Sequence, residues 1–243
     1  MRSDFSNSRL VRLLGQWTPV DTGANPAGMD FAERWSTWLN TFDAIGLQSA
    51  HQSIRAVDAA SPPGRTRRAH GLEEDLERVR GTLARAIAQD PLALEGYGID
   101  DVAEAGYAPF QQRHLALQRQ MEQMIAPLRD HVRQALGQAS PALRQLALLD
   151  ASLEQVFARH QLQLLPTTVS LLQRRHDELR QADRQALEAG GQADDPARWR
   201  RPGGWLDTFG QDWRQALAAE LDLRLQPVTG MVEAMAHELK NRT

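Results

Sequence analysis

Cysteine is absent from this chain of 243 residues, and lysine is nearly so, with Lys240 standing alone among 28 cationic side chains. Without cysteine there can be no disulfide, no thiolate nucleophile and no cysteine-ligated zinc. Arginine therefore carries almost all of the positive charge. Its dominance reads as the imprint of a GC-rich genome rather than as selection for guanidinium chemistry. No stretch alternates polar and apolar residues between turn signals, so no strand is expected. Long apolar runs are missing too, which leaves nothing of transmembrane length. The opening segment MRSDFSNSRLVRLLG is interrupted by Arg9 and Arg12 before any signal-peptide core could form, so a cytoplasmic protein is expected. The net charge of −3 supplies no global field for nucleic acid.

What is present is leucine, about twice as frequent as valine and isoleucine together, with abundant alanine. That balance favours helix, because β-branched side chains lose rotamer freedom there. The expected fold is all-α: an irregular bundle of about seven to eight helices with no sheet. It forms either a single domain over 1–243 or two loosely joined helical halves.

A short helix is expected over Leu10–Trp17, closed by Pro19. Asp30 can cap a long helix whose apolar row runs Phe31, Trp35, Trp38, Phe42, Ile45, Ile54 and Val57. Two prolines and two glycines make 59–71 a linker. The next helix, Leu72 to Gln89, turns Leu72, Leu76, Val79, Leu83 and Ile87 inward and pairs Glu74 with Arg78. Asp90–Pro109 reads as a loop with one helical turn near Asp100–Glu104. From Phe110 to Leu136 a long helix carries Leu117, Met121, Ile125, Leu128 and Val132, with a kink expected at Pro127. Ser140-Pro141 has the form of a helix start, and Leu143, Leu146, Leu149 and Leu153 follow. That helix should end near Pro166, where another begins and runs to Gly190-Gly191. A second polar linker covers 190–204.

The most distinctive pattern follows it. Trp205, Phe209, Trp213, Leu217, Leu221 and Leu225 recur every fourth position. Each residue of an α-helix advances by roughly 100°, so such a row drifts by about 40° per step and wraps round the helix. A helix of this kind must be central in a bundle or wrap a partner. Past Pro227 a short final helix is expected, holding Val228, Met231, Val232, Met235 and Leu239.

Chemical signatures are few. No glutamate is followed three positions later by histidine, so the di-iron pattern is missing, and so is His-Glu-x-x-His. There is neither a nucleophile elbow nor a Gly-Lys-Ser/Thr phosphate loop. The seven histidines are scattered singly, with His114, His131 and His160 expected on polar or boundary faces of helices. Neither catalytic residues, nor a metal site, nor a cofactor can be nominated, and an enzyme is not expected. The segment MAHELKN resembles the phosphoacceptor box of sensor histidine kinases at His237-Glu238, but the proline of that box is Arg242 here.

Two binding readings remain. Trp35, Trp38 and Phe42 crowd one helix face and form a candidate protein interface, either between two copies of the chain or with a foreign partner, since tryptophan supplies much buried area with few rotatable bonds. Alternatively Arg174, Arg175, Arg180, Arg198 and Arg201, with Trp199 among them, could form a nucleic-acid patch. Asp177, Glu178 and Asp183 alternate with those arginines, which favours a salt-bridged, solvated face instead and makes nucleic acid the weaker expectation.

Ser8–Leu14 (SRLVRLL), Phe31–Ile45 (FAERWSTWLNTFDAI) and Gly203–Met235, with AELDLRLQPV at Ala219–Val228 its most distinctive piece, together resemble a bacterial family of unknown function, domain of unknown function 3348. The resemblance brings no functional residues. It implies genes set beside membrane proteins similar to proton-channel stators and peptidoglycan-binding outer-membrane proteins, and hence a cytoplasmic accessory role at the envelope. A non-enzymatic interaction module that forms a homodimer is the function expected, with a nucleic-acid-binding regulator as the alternative.

Overall fold

The computed structural model describes residues 9–17, 48, 52, 68–94 and 106–241. Seven helices lie among them: α1 (Arg9–Trp17), α2 (Arg68–Ala88), α3 (Pro91–Leu94), α4 (Ala108–Gly137), α5 (Pro141–Gly190), α6 (Pro196–Trp199) and α7 (Trp205–Lys240). No strand occurs among the described residues, and the chain is an all-α multi-helix protein.

Several boundaries differ from the sequence reading. Residues 68–71, expected in a linker, are the first turn of α2, and the second linker holds the helical turn α6. The helical turn expected near Asp100–Glu104 lies outside the described residues, while α3 forms a turn at the start of that loop, opened by the Asp90 carboxylate accepting from Leu92 N at 3.0 Å. Two expected breaks are absent. α5 is one helix of 50 residues that continues through position 166, and α7 is one helix of 36 residues that continues through Pro227. A proline inside a helix removes one hydrogen bond to the carbonyl four residues back. At Pro227 that carbonyl belongs to Leu223, and both residues are exposed, so water can serve it. Leu225 and Val228 on either side are buried, and their packing carries the helix across. Pro127 in α4 is likewise exposed, between buried Ile125 and Leu128.

The structure divides into two compact units. The first comprises Met1–Pro19, Val79–Met124 and Leu165–Arg224; the second comprises Val20–Arg78, Ile125–Leu164 and Leu225–Thr243.

In the first unit α7 has the central place its sequence predicts. Trp205, Phe209, Trp213, Leu217 and Leu221 are all buried, and so are Leu206, Ala216, Ala219 and Glu220. Burial at 216, 217, 219, 220 and 221 covers more than half the circumference of a helix. Three elements account for it. From α4, Phe110 meets Phe209 and Trp213 edge-on, with ring centroids 4.9 and 5.7 Å apart. From α5, His176 meets Trp205 and Phe209 at 5.2 and 5.1 Å. From α1, Arg9 reaches Asp222 at 4.0 Å. Each buried ring of this size contributes about 1.5–3 kcal/mol through the surface it removes from water.

In the second unit α4 and α5 form an antiparallel hairpin. Ser140 caps α5, its Oγ accepting from Leu143 N at 3.2 Å, as the Ser-Pro start predicts. The same hydroxyl donates to Glu238 Oε2 of α7 at 2.8 Å. Ile125, Leu128, Val132 and Leu136 of α4 are buried, as are Leu143 and Ala147 of α5 and Val228, Met231, Val232 and Met235 of α7. The α5 stripe departs from expectation. Its buried positions are Leu143, Ala147 and Asp150, while Leu149 is 40% exposed.

The turn from α5 to α7 depends on two glycines. Gly191 ends α5 with φ of 61°, a left-handed conformation that places Gln192 N on the Leu187 carbonyl at 3.0 Å. At Gly204 the carbonyls of Arg198 and Trp199 approach so closely that a Cβ would collide with them.

Candidate functional site

Trp35, Trp38 and Phe42 lie outside the described residues. The arginine patch is described, and its members are dispersed among partners. Arg174 pairs with Glu178 one turn on, at 3.4 Å. Arg175 reaches Asp212 of α7 through its Nε at 2.9 Å. Arg180 lies over the Trp199 ring, 6.0 Å from its centroid. Arg198 donates to Gln192 Oε1 at 3.1 Å. Arg201 is exposed, and shares a shallow cavity of about 260 Å³ with Arg198, Asp183, Asp194 and Asp195. Carboxylates are thus interleaved with guanidinium groups in space as well as in sequence. Nearby Arg184 and Arg200 follow the same rule, with Glu188 at 3.8 Å and Asp90 at 2.7 Å.

Beneath the patch the aromatic side chains enclose a histidine. His176 is 2% exposed and touches Tyr107, Trp205 and Phe209. Its Nδ1 stands 3.0 Å from Asp177 Oδ1, and since a carboxylate only accepts, the proton sits on Nδ1. Burial pulls the His176 pKa below its ordinary value, against the opposing pull of Asp177. Tyr107 donates to the Val169 carbonyl at 3.2 Å, and burial pushes its phenol well above the usual range. Trp199 Nε1 donates to Asp194 at 2.8 Å, which locks α6 and its loop.

A second polar group lies deeper in the same unit. His114 of α4 has no exposed surface, and Glu220 of α7 is 4% exposed. Gln118 Nε2 donates to both Glu220 oxygens, at 2.9 and 3.2 Å, and Arg224 donates to Oε1 through two nitrogens, at 2.6 and 3.1 Å. His114 Nε2 stops 3.7 Å from Glu220 Oε2, and neither ring nitrogen has a hydrogen-bond partner. Burial lowers the His114 pKa; Glu220 works to raise it, and Arg224 adds to the lowering.

The second unit carries an ionic cluster. Arg129 grips Asp150 through two bonds of 2.8 and 2.6 Å and reaches Glu154 at 3.0 Å. Arg133 donates to the same two carboxylates at 2.7 and 2.6 Å. Burial alone would raise the Asp150 pKa, yet the two guanidinium groups hold it below its ordinary value.

These two constellations escape a reading by local pattern. His114 was expected on a polar or boundary face, and it is wholly buried; the signal for this was its place four residues after Phe110 and three before Leu117, on the apolar stripe itself. His131 is exposed, as expected, and His237 is exposed on the last turn of α7. The side chain of His160 lies outside the described residues. Arg78 bonds Asp75 at 2.6 Å, one residue nearer than Glu74, with which it was expected to pair. Among the described residues no three His, Asp or Glu side chains converge as metal ligands would. No helix among them is long and apolar enough to cross a membrane.

Fold and polar interior together define an all-helical protein whose buried charges tie helix to helix. Residues 1–237 match the family described as a protein of unknown function, DUF3348, and the chain belongs to that family. No curated protein and no solved structure matches it.

Proposed function

We propose that this protein is a non-enzymatic helical interaction module, an accessory component of a bacterial envelope-associated complex that acts from the cytoplasm and pairs with a second copy of itself. The observation that carries the reading is the partial neutralisation of the arginine face: Arg174 and Arg175 of the patch meet carboxylates, while Arg180 lies over Trp199 and Arg198 bonds Gln192. Arg174, Arg175, Arg184 and Arg200 each meet a carboxylate. Opposite charges that neutralise one another locally leave little field to hold a phosphate backbone. A long helical surface interlaced with both signs suits protein recognition, where complementary charge sets register. The contact itself is assigned to the Trp35, Trp38 and Phe42 face, through the helix-in-groove mode.

The test is the mass of the full chain by light scattering, with and without Trp38→Glu. A dimeric wild type and a helical, monomeric variant are expected. A wild type that stays monomeric at high concentration sinks self-association. Fluorescence anisotropy with a labelled single-stranded oligonucleotide tests the alternative. Tight binding that weakens steeply with salt and is lost in Arg198→Ala/Arg201→Ala would replace the module reading with nucleic-acid binding.

A further inference from the structure

We propose that the buried Gln118–Glu220 contact of α4 with α7 is a proton-operated latch, closed while the adjacent His114 imidazole is neutral and released when that ring takes up a proton from solvent. The proposal is independent of what the protein binds. It begins from a mismatch in the polar core. Glu220 is fully served: Gln118 and Arg224 fill its oxygens, and Arg224 balances its charge. His114 is not served at all, for its ring is completely buried and neither nitrogen finds an acceptor or a donor. A neutral imidazole tolerates that position at the expense of one donor and one acceptor left unpaired.

A protonated ring changes the balance. The buried group would then hold two cations, His114 and Arg224, against a single carboxylate. Nε2–H could close the 3.7 Å gap to Glu220, but Nδ1–H would still point at nothing. A charged ring wholly enclosed beside a second cation, with one N–H unserved, is strongly unfavourable, so the proton binds best when α4 and α7 part and water enters. The surrounding elements offer no relief. Glu220 and Arg224 are the charged groups that act on the ring. Arg113, its chain neighbour, is turned to the Ala86 carbonyl of α2 and to Gln89 just past its end. On α5, Arg175 is bonded to Asp212, and His176 is enclosed by Tyr107, Trp205 and Phe209. On α1, Arg9 faces Asp222 at an exposed surface.

Hydrogen exchange by mass spectrometry on the full chain tests the latch, after correction for the intrinsic pH dependence of exchange. Peptides covering 114–121 and 216–224 should open more readily as pH falls below 6.5, by up to about tenfold per pH unit for one proton. His114→Gln, which keeps a polar side chain but cannot titrate, should remove the His114 share of that rise from these peptides and leave only the part that His176 contributes. Retention of the full wild-type rise in His114→Gln, or its absence from the wild type, overturns the proposal. A second measurement covers a variant that fails to fold. In the ¹³C-histidine spectrum of the wild-type protein, His114 should titrate with a midpoint below 6.5, and a midpoint at or above that value overturns the latch.

Discussion

The two units solve the problem of buried charge in opposite ways. In the second, Arg129 and Arg133 meet Asp150 and Glu154, and exposed Asp130 joins Arg133 at 3.1 Å, so two cations face three anions, two of them open to solvent. In the first, Glu220 is satisfied by Gln118 and Arg224 while His114 beside it is left bare in an apolar interior. A cluster whose guanidinium groups are all paired, with water at its rim, holds over a wide pH range. A group built beside a wholly enclosed, unserved titratable ring holds only while that ring is neutral. The comparison therefore predicts that the two units draw stability from different sources and lose it under different conditions.

The largest expected effect lies in the apolar core. Trp213 has no exposed surface and stands against Phe110. Trp213→Ala should destabilise by about 3–5 kcal/mol, measured by denaturant unfolding. A loss below about 1 kcal/mol would mean that the first unit does not depend on its aromatic core, and the contrast with the ionic second unit would fail. Next comes Asp150, the anion both arginines share. Asp150→Ala leaves two partly buried guanidinium groups short of a partner and should cost about 3 kcal/mol. If the loss is indistinguishable from that of an exposed ion pair, the cluster is ornament, and the hairpin of the second unit rests on leucine packing alone.

The same contrast explains how much could be read from sequence. Helical faces were legible because their signal is local. Leu117, Met121, Val132 and Leu136 follow a spacing of three and four, and all are buried. The fourfold row from Trp205 to Leu225 even carried tertiary information, since its drift round the helix required neighbours on several sides. Charge partners were not legible. Arg129 and Asp150 lie on different helices, and nothing in the sequence near either one names the other. The error at Leu149 has the same origin. The leucines alone pointed to 143, 146, 149 and 153, but the arginines of α4 draw Asp150 inward and with it the stripe 143, 147, 150. Proline misled at positions 166 and 227, where the helices continue; at Pro227 the cost of one lost hydrogen bond is local, whereas the packing of Leu225 and Val228 that offsets it is not.

pH separates the units. His114 and His176 both have pKa values below 6.5 in the folded protein, through burial, whereas an unfolded chain titrates them near 6.5. Below that pH the unfolded chain binds protons that the folded one refuses. Stability is therefore full above 6.5 and falls as pH drops toward the folded values, by up to about 1.4 kcal/mol per pH unit for each histidine. Asp150 follows the carboxylate case. Its folded pKa lies below 3.8, so its contribution is present above 3.8 and is lost only as pH falls through the lower value. Urea unfolding at pH 7.5, 5.5 and 4.5 should show a first loss in the histidine range, with hydrogen exchange placing it in 114–121 and 216–224. Simultaneous loosening of 129–133 and 150–154 in that range would show that the units share one proton-sensitive transition.

The smallest effect sharpens the account of the ionic cluster. Glu154 meets the same two arginines as Asp150, at 3.0 and 2.6 Å, but its side chain is 37% exposed against 9% for Asp150. Distance alone would rank the two carboxylates equal. Burial ranks them apart, because water can replace Glu154 at the guanidinium groups and screens its attraction while it is there. Glu154→Ala should therefore cost less than about 1 kcal/mol, and the loss should shrink further in high salt. Asp150→Ala, by contrast, should keep most of its effect at the same ionic strength. Equal losses at the two positions, or equal sensitivity to salt, would show that the cluster is wetter than its geometry implies. It would then stand still further from the enclosed ring of His114, which no water reaches.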